Sequence, residues 1–239
     1  NTIADMFRAC DYTTAAIGKW HLGWDWTYKE GKAKTVDNID FTKRVANGPT
    51  DRGFDYFYGL TSPSGPPHLY MVNDMAEKQP NTRFEESGGG LYKIKGGIGH
   101  SDWSADGMQP HLADKMLEYL DKNKDSDKPF FLYMALTALH IPLFPSKEFK
   151  GKSKIGDYGD LVMMIDDIVG RVNRKLKEIG KYDNTIVMFA ADNGCAGYIN
   201  MDRINRKGHY PSYIYRGYKS HGWEGGHRIP FILLWGDRY

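Results

Sequence analysis

The chain reads as an α/β protein, a mainly parallel sheet sandwiched by helices. Segments of helical and of strand period alternate along it. Residues 129–136 and 185–191 are continuous apolar runs of strand length, as in strands covered on both faces. Polar residues also stand just past three successive strand ends: Lys19 and His21, then His140, then Asp192 and Asn193. That edge is where open α/β sheets bind ligands.

Thr2 and Asp5 make a capping-box pattern, and Ile3, Met6, Phe7 and Cys10 follow at helical spacing, with Cys10 read as a small buried apolar residue. A strand over 12–17 runs into Gly18. If the chain stays extended there, Lys19 and His21 point to one side and Trp20 to the other. A cation and an imidazole would then converge at a strand end, a setting for an anionic ester. A solvated lysine and a packed histidine fit the pair equally well.

Residues 24–110 hold no sustained period and read as an irregular insertion. Within it, 53–59 reads as a packed aromatic corner, 62–67 and 87–90 as turn clusters, and 91–95 as an alternating edge strand. Helical spacing returns with Met108, Leu112, Ala113, Met116 and Leu120, with Pro110 in the first turn. The apolar run at 129–136 empties into Thr137, His140 and Pro142. Residues 158–179 keep a 3.6-residue period through Leu161, Ile165, Ile168, Val172 and Leu176, and stop before Gly180, a C′ residue. The run at 185–191 empties into Asp192-Asn193-Gly194, and 229–234 reads as a further strand.

The composition is that of a globular domain with a core: 239 residues, 41% hydrophobic and 26% charged. A net charge of +2 gives no electrostatic case for nucleic acid or an anionic membrane. No stretch approaches the ~20 apolar residues of a membrane helix. Two cysteines, Cys10 and Cys195, exclude a disulfide framework. The chain opens with Asn1 rather than Met and stops just past a strand, so both ends read as cut.

Asp192 and Asn193 offer hard oxygen donors suited to Ca²⁺ or Mg²⁺, whereas zinc favours His and Cys. Plain Asx-Gly turn chemistry also accounts for them. Asp166 and Asp167 lie in a periodic helix, about 100° apart around its axis, and read as capping or surface charge rather than a metal site. Lys219 reads as a solvated lysine, Glu224 as the partner of Arg228 or of backbone amides, and 197–215, rich in Tyr, Arg and Lys, as a specificity loop for an anionic or carbohydrate substrate.

These segments resemble the sulfatases of the alkaline phosphatase superfamily, the arylsulfatase-like group. Gly18-Lys19-Trp20-His21-Leu22-Gly23 is similar to a sulfatase signature, Leu139-His140-Ile141-Pro142 to the His-x-Pro loop, and Ala191-Asp192-Asn193-Gly194 to the Ser-Asp-Asn-Gly metal loop. Residues 216–230 are similar to the Arg-Gly-x-Lys…Glu-Gly-Gly-x-Arg-x-Pro segment. The resemblance implies a sulfuric ester hydrolase. Asp192 and Asn193 would ligate calcium, ahead of magnesium; Lys19 and Lys219 would neutralise the sulfate. His140, with Lys219, would protonate the leaving oxygen, and His21 would assist the nucleophile or the elimination of sulfate.

That nucleophile is a formylglycine made from a Cys/Ser-x-Pro-x-Arg segment, and none occurs here. Residues 1–239 are therefore expected to be a partial catalytic domain, inactive alone, whose nucleophile strand and C-terminal subdomain lie outside it. The expected substrate is a small-molecule or glycan sulfate ester, with no nucleic acid partner. The resemblance suggests a secreted, periplasmic or lysosomal setting. The rivals are a phosphatase or phosphodiesterase of the same superfamily and a non-catalytic binder of sulfated glycans.

Overall fold

The computed structural model describes residues 2–238, which divide between residues 146 and 147 into two compact units. The first unit is built on a five-stranded sheet. Its elements are α1 (Ile3–Ala9), β1 (Thr13–Lys19), β2 (Tyr56–Leu60), β3 (Met71–Val72), β4 (Met75–Ala76), a small ribbon of β5 (Thr82–Phe84) with β6 (Gly97–Gly99), α2 (Met108–Lys122) and β7 (Phe130–Ala135). The strand order is β4-β3-β2-β1-β7. The three strands β2, β1 and β7 run parallel, and β3 and β4 add an antiparallel edge. The architecture is thus the α/β class that the sequence predicts.

β1 and β2 carry apolar residues on both faces because both faces are covered. Ala16 and Phe57 join a cluster with Trp20, Trp24, Phe41 and Phe54. Ala15, Ile17, Tyr58 and Leu60 join another with Trp103, Leu112 and Met116. The second cluster rests on α2, whose Leu112, Met116 and Leu120 are buried at helical spacing. At the C-terminal strand ends the backbones approach so closely that only glycine fits. A Cβ on Gly18, whose φ is 126°, would lie 2.0 Å from the Ala135 carbonyl oxygen; one on Gly59 would lie 1.8 Å from that of Gly18.

Several expectations are corrected. Residues 56–60 are a core strand rather than an aromatic corner: four of its five residues are buried, and Phe57, Tyr58 and Leu60 alternate between the two faces. Residues 91–95 form no strand; a 3₁₀ turn occupies Gly90–Tyr92, and one bridge joins Ser87 to Ile94. The capping box of α1 is present, Thr2 and Asp5 bonding each other's backbone amides at 2.8 and 3.1 Å. The helix ends at Ala9, however, so Cys10 becomes its exposed C-cap, and the buried contact is Ala4 rather than Ile3 or Met6. β7 is an edge strand among the described residues, with Tyr133 half exposed, and is not covered on both faces.

The second unit holds α3 (Asp157–Glu178), β8 (Ile186–Ala190), α4 (Met201–Asn205), α5 (Glu224–His227) and β9 (Phe231–Trp235). α3 closes in a Schellman motif: Lys181 N donates to Leu176 O and Gly180 N to Lys177 O, with Gly180 at φ 68°. The buried Asp160 carboxylate ties the preceding loop down, accepting from the amides of Gly151 and Ser153 at 2.7 and 2.6 Å. β8 pairs antiparallel with β9, not parallel. Its alternate residues are exposed, so the run at 185–191 is not a doubly covered strand. Apolar character on both faces identifies a strand; it does not say what covers it.

Two outcomes follow from the first unit. Gly18→Ala combines a backbone clash with a left-handed φ, and is expected to cost about 3 kcal/mol or more in urea unfolding. His68 is 1% exposed, with its Nε2–H donating to Lys95 O at 2.7 Å. Burial holds its imidazole below the ordinary value, as it does for His111. The unfolded chain therefore takes up protons that the native state refuses, and stability present above pH ~6.5 is lost as the pH falls through it. The urea midpoint should drop between pH 8 and pH 5, and less steeply in His68→Gln.

Candidate functional site

The candidate residues fall into two groups of three, one in each unit. In the first unit they stand at the C-terminal edge of the parallel strands. Lys19 is the last residue of β1, in register with Leu60, and the Gly18 before it pairs with Ala135 at the end of β7. The segment carrying His140 leaves the sheet at that same edge, so strand register brings Lys19 and the His140 loop to neighbouring strand ends.

His21 behaves differently from the extended reading. β1 ends at Lys19, Trp20 turns inward to bond Gly23 O through its indole at 2.9 Å, and His21 takes a left-handed φ of 51°. Strand alternation therefore does not extend to His21 and gives it no shared face with Lys19. The Gly at 23, with φ 80°, and the buried Trp20 turn the chain here.

The His140 loop is fixed from below. Buried Thr137 bonds the Gln109 side-chain oxygen through both its amide (3.0 Å) and its hydroxyl (2.6 Å). The His140 amide then donates to Thr137 O at 3.1 Å. His140 Nδ1 lies 2.6 Å from Ile141 O, a carbonyl that only accepts, which makes Nδ1 the protonated nitrogen of the neutral ring. Gln109 did not emerge from sequence reasoning. Its one signal is a polar side chain on the buried stripe of α2, three residues before Leu112 and seven before Met116.

In the second unit, the Asp192 loop, the Arg216–Lys219 segment and α5 lock together through their backbones. Gly194 N donates to Gly226 O at 2.9 Å, Lys219 N to Cys195 O at 2.8 Å, and Gly225 N to Arg216 O at 2.9 Å. The glycines are steric necessities. A Cβ on Gly194 would lie 1.9 Å from Gly225 O, and one on Gly225 would lie 2.1 Å from Gly217 O. Asp192, Asn193 and Lys219 are thus held on one clasp. Glu224 pairs with Arg228 at 2.6 Å, which holds its carboxyl below the usual range. Asp167 pairs with Arg174 at 3.6 Å, in keeping with surface charge. Burial pushes the Cys195 thiol up, outweighing Tyr158 Oη 3.6 Å from its sulfur, which acts to lower it; a thiol raised by burial does not suit a nucleophile.

Asp192 is exposed and Asn193 half buried, with Asn193 Nδ2 donating to Asp192 Oδ1 at 2.7 Å. The pair matches the oxygen chemistry of calcium, but calcium takes about six to eight such donors. Among the described residues no three His, Cys, Asp or Glu gather in a metal-holding group. The donor types fit; the set is partial.

Similarity to known proteins covers the whole chain. The sulfatase family model matches residues 1–239. An N-acetylgalactosamine-6-O-sulfatase of Bacteroides thetaiotaomicron is 30% identical over 269 residues, covering 98% of this chain and 51% of that protein. An arylsulfatase of Hemicentrotus pulcherrimus is 30% identical over 234 residues, covering 98% of this chain and 38% of that protein. A solved structure from the glycosaminoglycan-metabolising locus of B. thetaiotaomicron superposes with a TM-score of 0.79 at 28% identity, over 98% of this chain and 54% of that one. The chain thus spans about half, or less, of the length of these relatives. The family model spans residues 1–239, and the chain belongs to the sulfatase family.

Proposed function

We propose that the whole protein hydrolyses a sulfate ester carried on a carbohydrate. The observation that carries this reading is the backbone clasp that fixes Asp192, Asn193 and Lys219 together, in a chain of the sulfatase family. The N-acetylgalactosamine-6-sulfatases among its relatives support a sulfated amino sugar as substrate.

Asp192 and Asn193 would hold calcium through their side-chain oxygens, and the bound ion would supply positive charge for the sulfate. Lys219, rigid on the clasp, and Lys19, at the end of β1, counter the negative charge that shifts toward the leaving oxygen. Preorganised cations of this kind act where charge develops, without reorganising. His140, protonated at Nε2 while Nδ1 stays bonded to Ile141 O, gives its proton to the departing alcohol oxygen. His21, exposed beyond the strand end, assists the nucleophile. The nucleophile would be a formylglycine, for which residues 1–239 hold no Cys/Ser-x-Pro-x-Arg segment.

A phosphatase of the same superfamily is the rival reading. A comparison of sulfate and phosphate monoesters of the same aryl alcohol on the whole protein separates the two: faster turnover of the phosphate would overturn the sulfatase reading. His140→Ala is expected to lower kcat by about 10²–10⁴, with rescue by leaving groups that need no protonation. Lys219→Ala should lower kcat by about 10²–10³. Asp192→Ala is expected to abolish calcium-dependent stabilisation in thermal unfolding, a readout independent of turnover. An unchanged calcium-induced shift in Tm would remove Asp192 from the ligand set.

A further inference from the structure

We propose that residues 196–218 form an extended surface that binds a polyanionic sulfated glycan chain, engaging sugars that flank the one whose sulfate is removed. This rests on the sulfatase reading above and adds to it that the substrate is a polymer or oligomer rather than a single sugar.

The segment begins and ends at the clasp. Cys195 O, just before it, accepts from Lys219 N, just after it, at 2.8 Å. Gly197 lies against the Tyr218 ring, where a Cβ would come within 2.3 Å of a ring carbon. The loop therefore frames the residues that hold the sulfate. It is anchored on its own unit by buried Ile199 and Ile204, by the Asn200 side chain capping α4 at 3.2 Å, and by Lys207 Nζ donating to Lys154 O at 2.7 Å.

Its outer side is aromatic and cationic. Tyr210, Tyr213 and Ile214 are 58%, 71% and 78% exposed. Four cations, Arg203, Arg206, Lys207 and Arg216, stand against one acid, Asp202, giving the loop a charge of +3 in a chain whose total is +2. The remainder of the chain is thus slightly acidic, and the positive charge is concentrated here. Arg203 and Arg206 are exposed, and no ion pair involves either among the described residues. Arg216 lies 4.0 Å over the ring of the exposed Trp223. Guanidinium groups left to solvent suit sulfates and carboxylates, which they bind in a bidentate fork. Exposed tyrosine faces suit the apolar faces of sugar rings and mark a binding surface rather than a solvated loop.

The test measures binding of chondroitin sulfate oligosaccharides to the whole protein, beside Arg203→Ala/Arg206→Ala and Tyr213→Ala. Each variant should fold with unchanged circular dichroism, since none of these side chains is buried. The double-arginine variant is expected to bind about tenfold more weakly, and Tyr213→Ala several-fold more weakly. KM for the oligosaccharide should rise in step while turnover of a small aryl sulfate stays unchanged. Variants that bind like the wild type would overturn the surface. So would a single-stranded oligonucleotide of matched charge binding as tightly, with the same loss in the arginine variant and none in Tyr213→Ala, because that is charge attraction alone. Binding is read without turnover, so an enzyme that leaves sulfate esters intact yet holds the glycan refutes only the catalytic reading. Active enzyme whose oligosaccharide affinity ignores these variants refutes only the surface.

Discussion

The approach of three backbones at Gly18, Ala135 and Gly59 is the constraint on which the first unit depends. β1 is hydrogen-bonded on both sides, to β2 and to β7, and at its C-terminal end the pairing is Gly59, Gly18 and Ala135 in one row. No side chain fits at the central position of that row, and the φ of Gly18 is one that other residues adopt only under strain. The next residue is Lys19. The steric limit that ends the sheet therefore also sets where the lysine emerges. On the neighbouring strand, the chain leaves Ala135 and enters the loop that Gln109 and Thr137 fix beneath His140.

The second unit solves a similar problem with loops in place of strands. Asp192, Asn193 and Lys219 belong to segments far apart in sequence, and an exposed carboxylate or lysine on a free loop would be poorly positioned. Contacts through the main chain at Gly194, Gly217, Gly225 and Gly226 replace side-chain packing, and backbone hydrogen bonds of 2.8–2.9 Å replace the flexible reach of side chains. Loops so tied can present polar groups with the precision of a rigid element. The same knot fixes the two ends of residues 196–218, while the exposed Arg203, Arg206 and Tyr213 between them stand away from it.

Much of this was legible in the residues. The α/β class, the 3.6-residue period of α2 and α3, the Schellman close at Gly180 and the capping box at Thr2 each follow from local chemistry that acts within a few residues. The positions of His140 and Asp192 past strand ends were legible too, because strand length and apolar content mark where a strand stops, whereas β1 runs on to include Lys19 itself. Residues 56–60 were missed as a strand because Tyr and Gly in an aromatic-rich segment carry no clear alternation until the neighbouring strands are known. His21 was misplaced because a positive φ at a histidine leaves no mark in the sequence. Gln109 was overlooked because one polar residue on an apolar stripe looks like an imperfection until Thr137 is seen beside it.

The sequence by itself determined what depends on neighbours along the chain: helical periods, caps, turn residues, and the motifs that resemble the sulfatases. Only the tertiary structure decided strand order, the antiparallel pairing of β8 with β9, and which faces of β7 and β8 are covered, since these depend on what lies across space. It also decided why the glycines are glycines. Gly18, Gly194 and Gly225 are each required by a carbonyl oxygen from a distant segment lying where a Cβ would stand, and no local pattern encodes that approach.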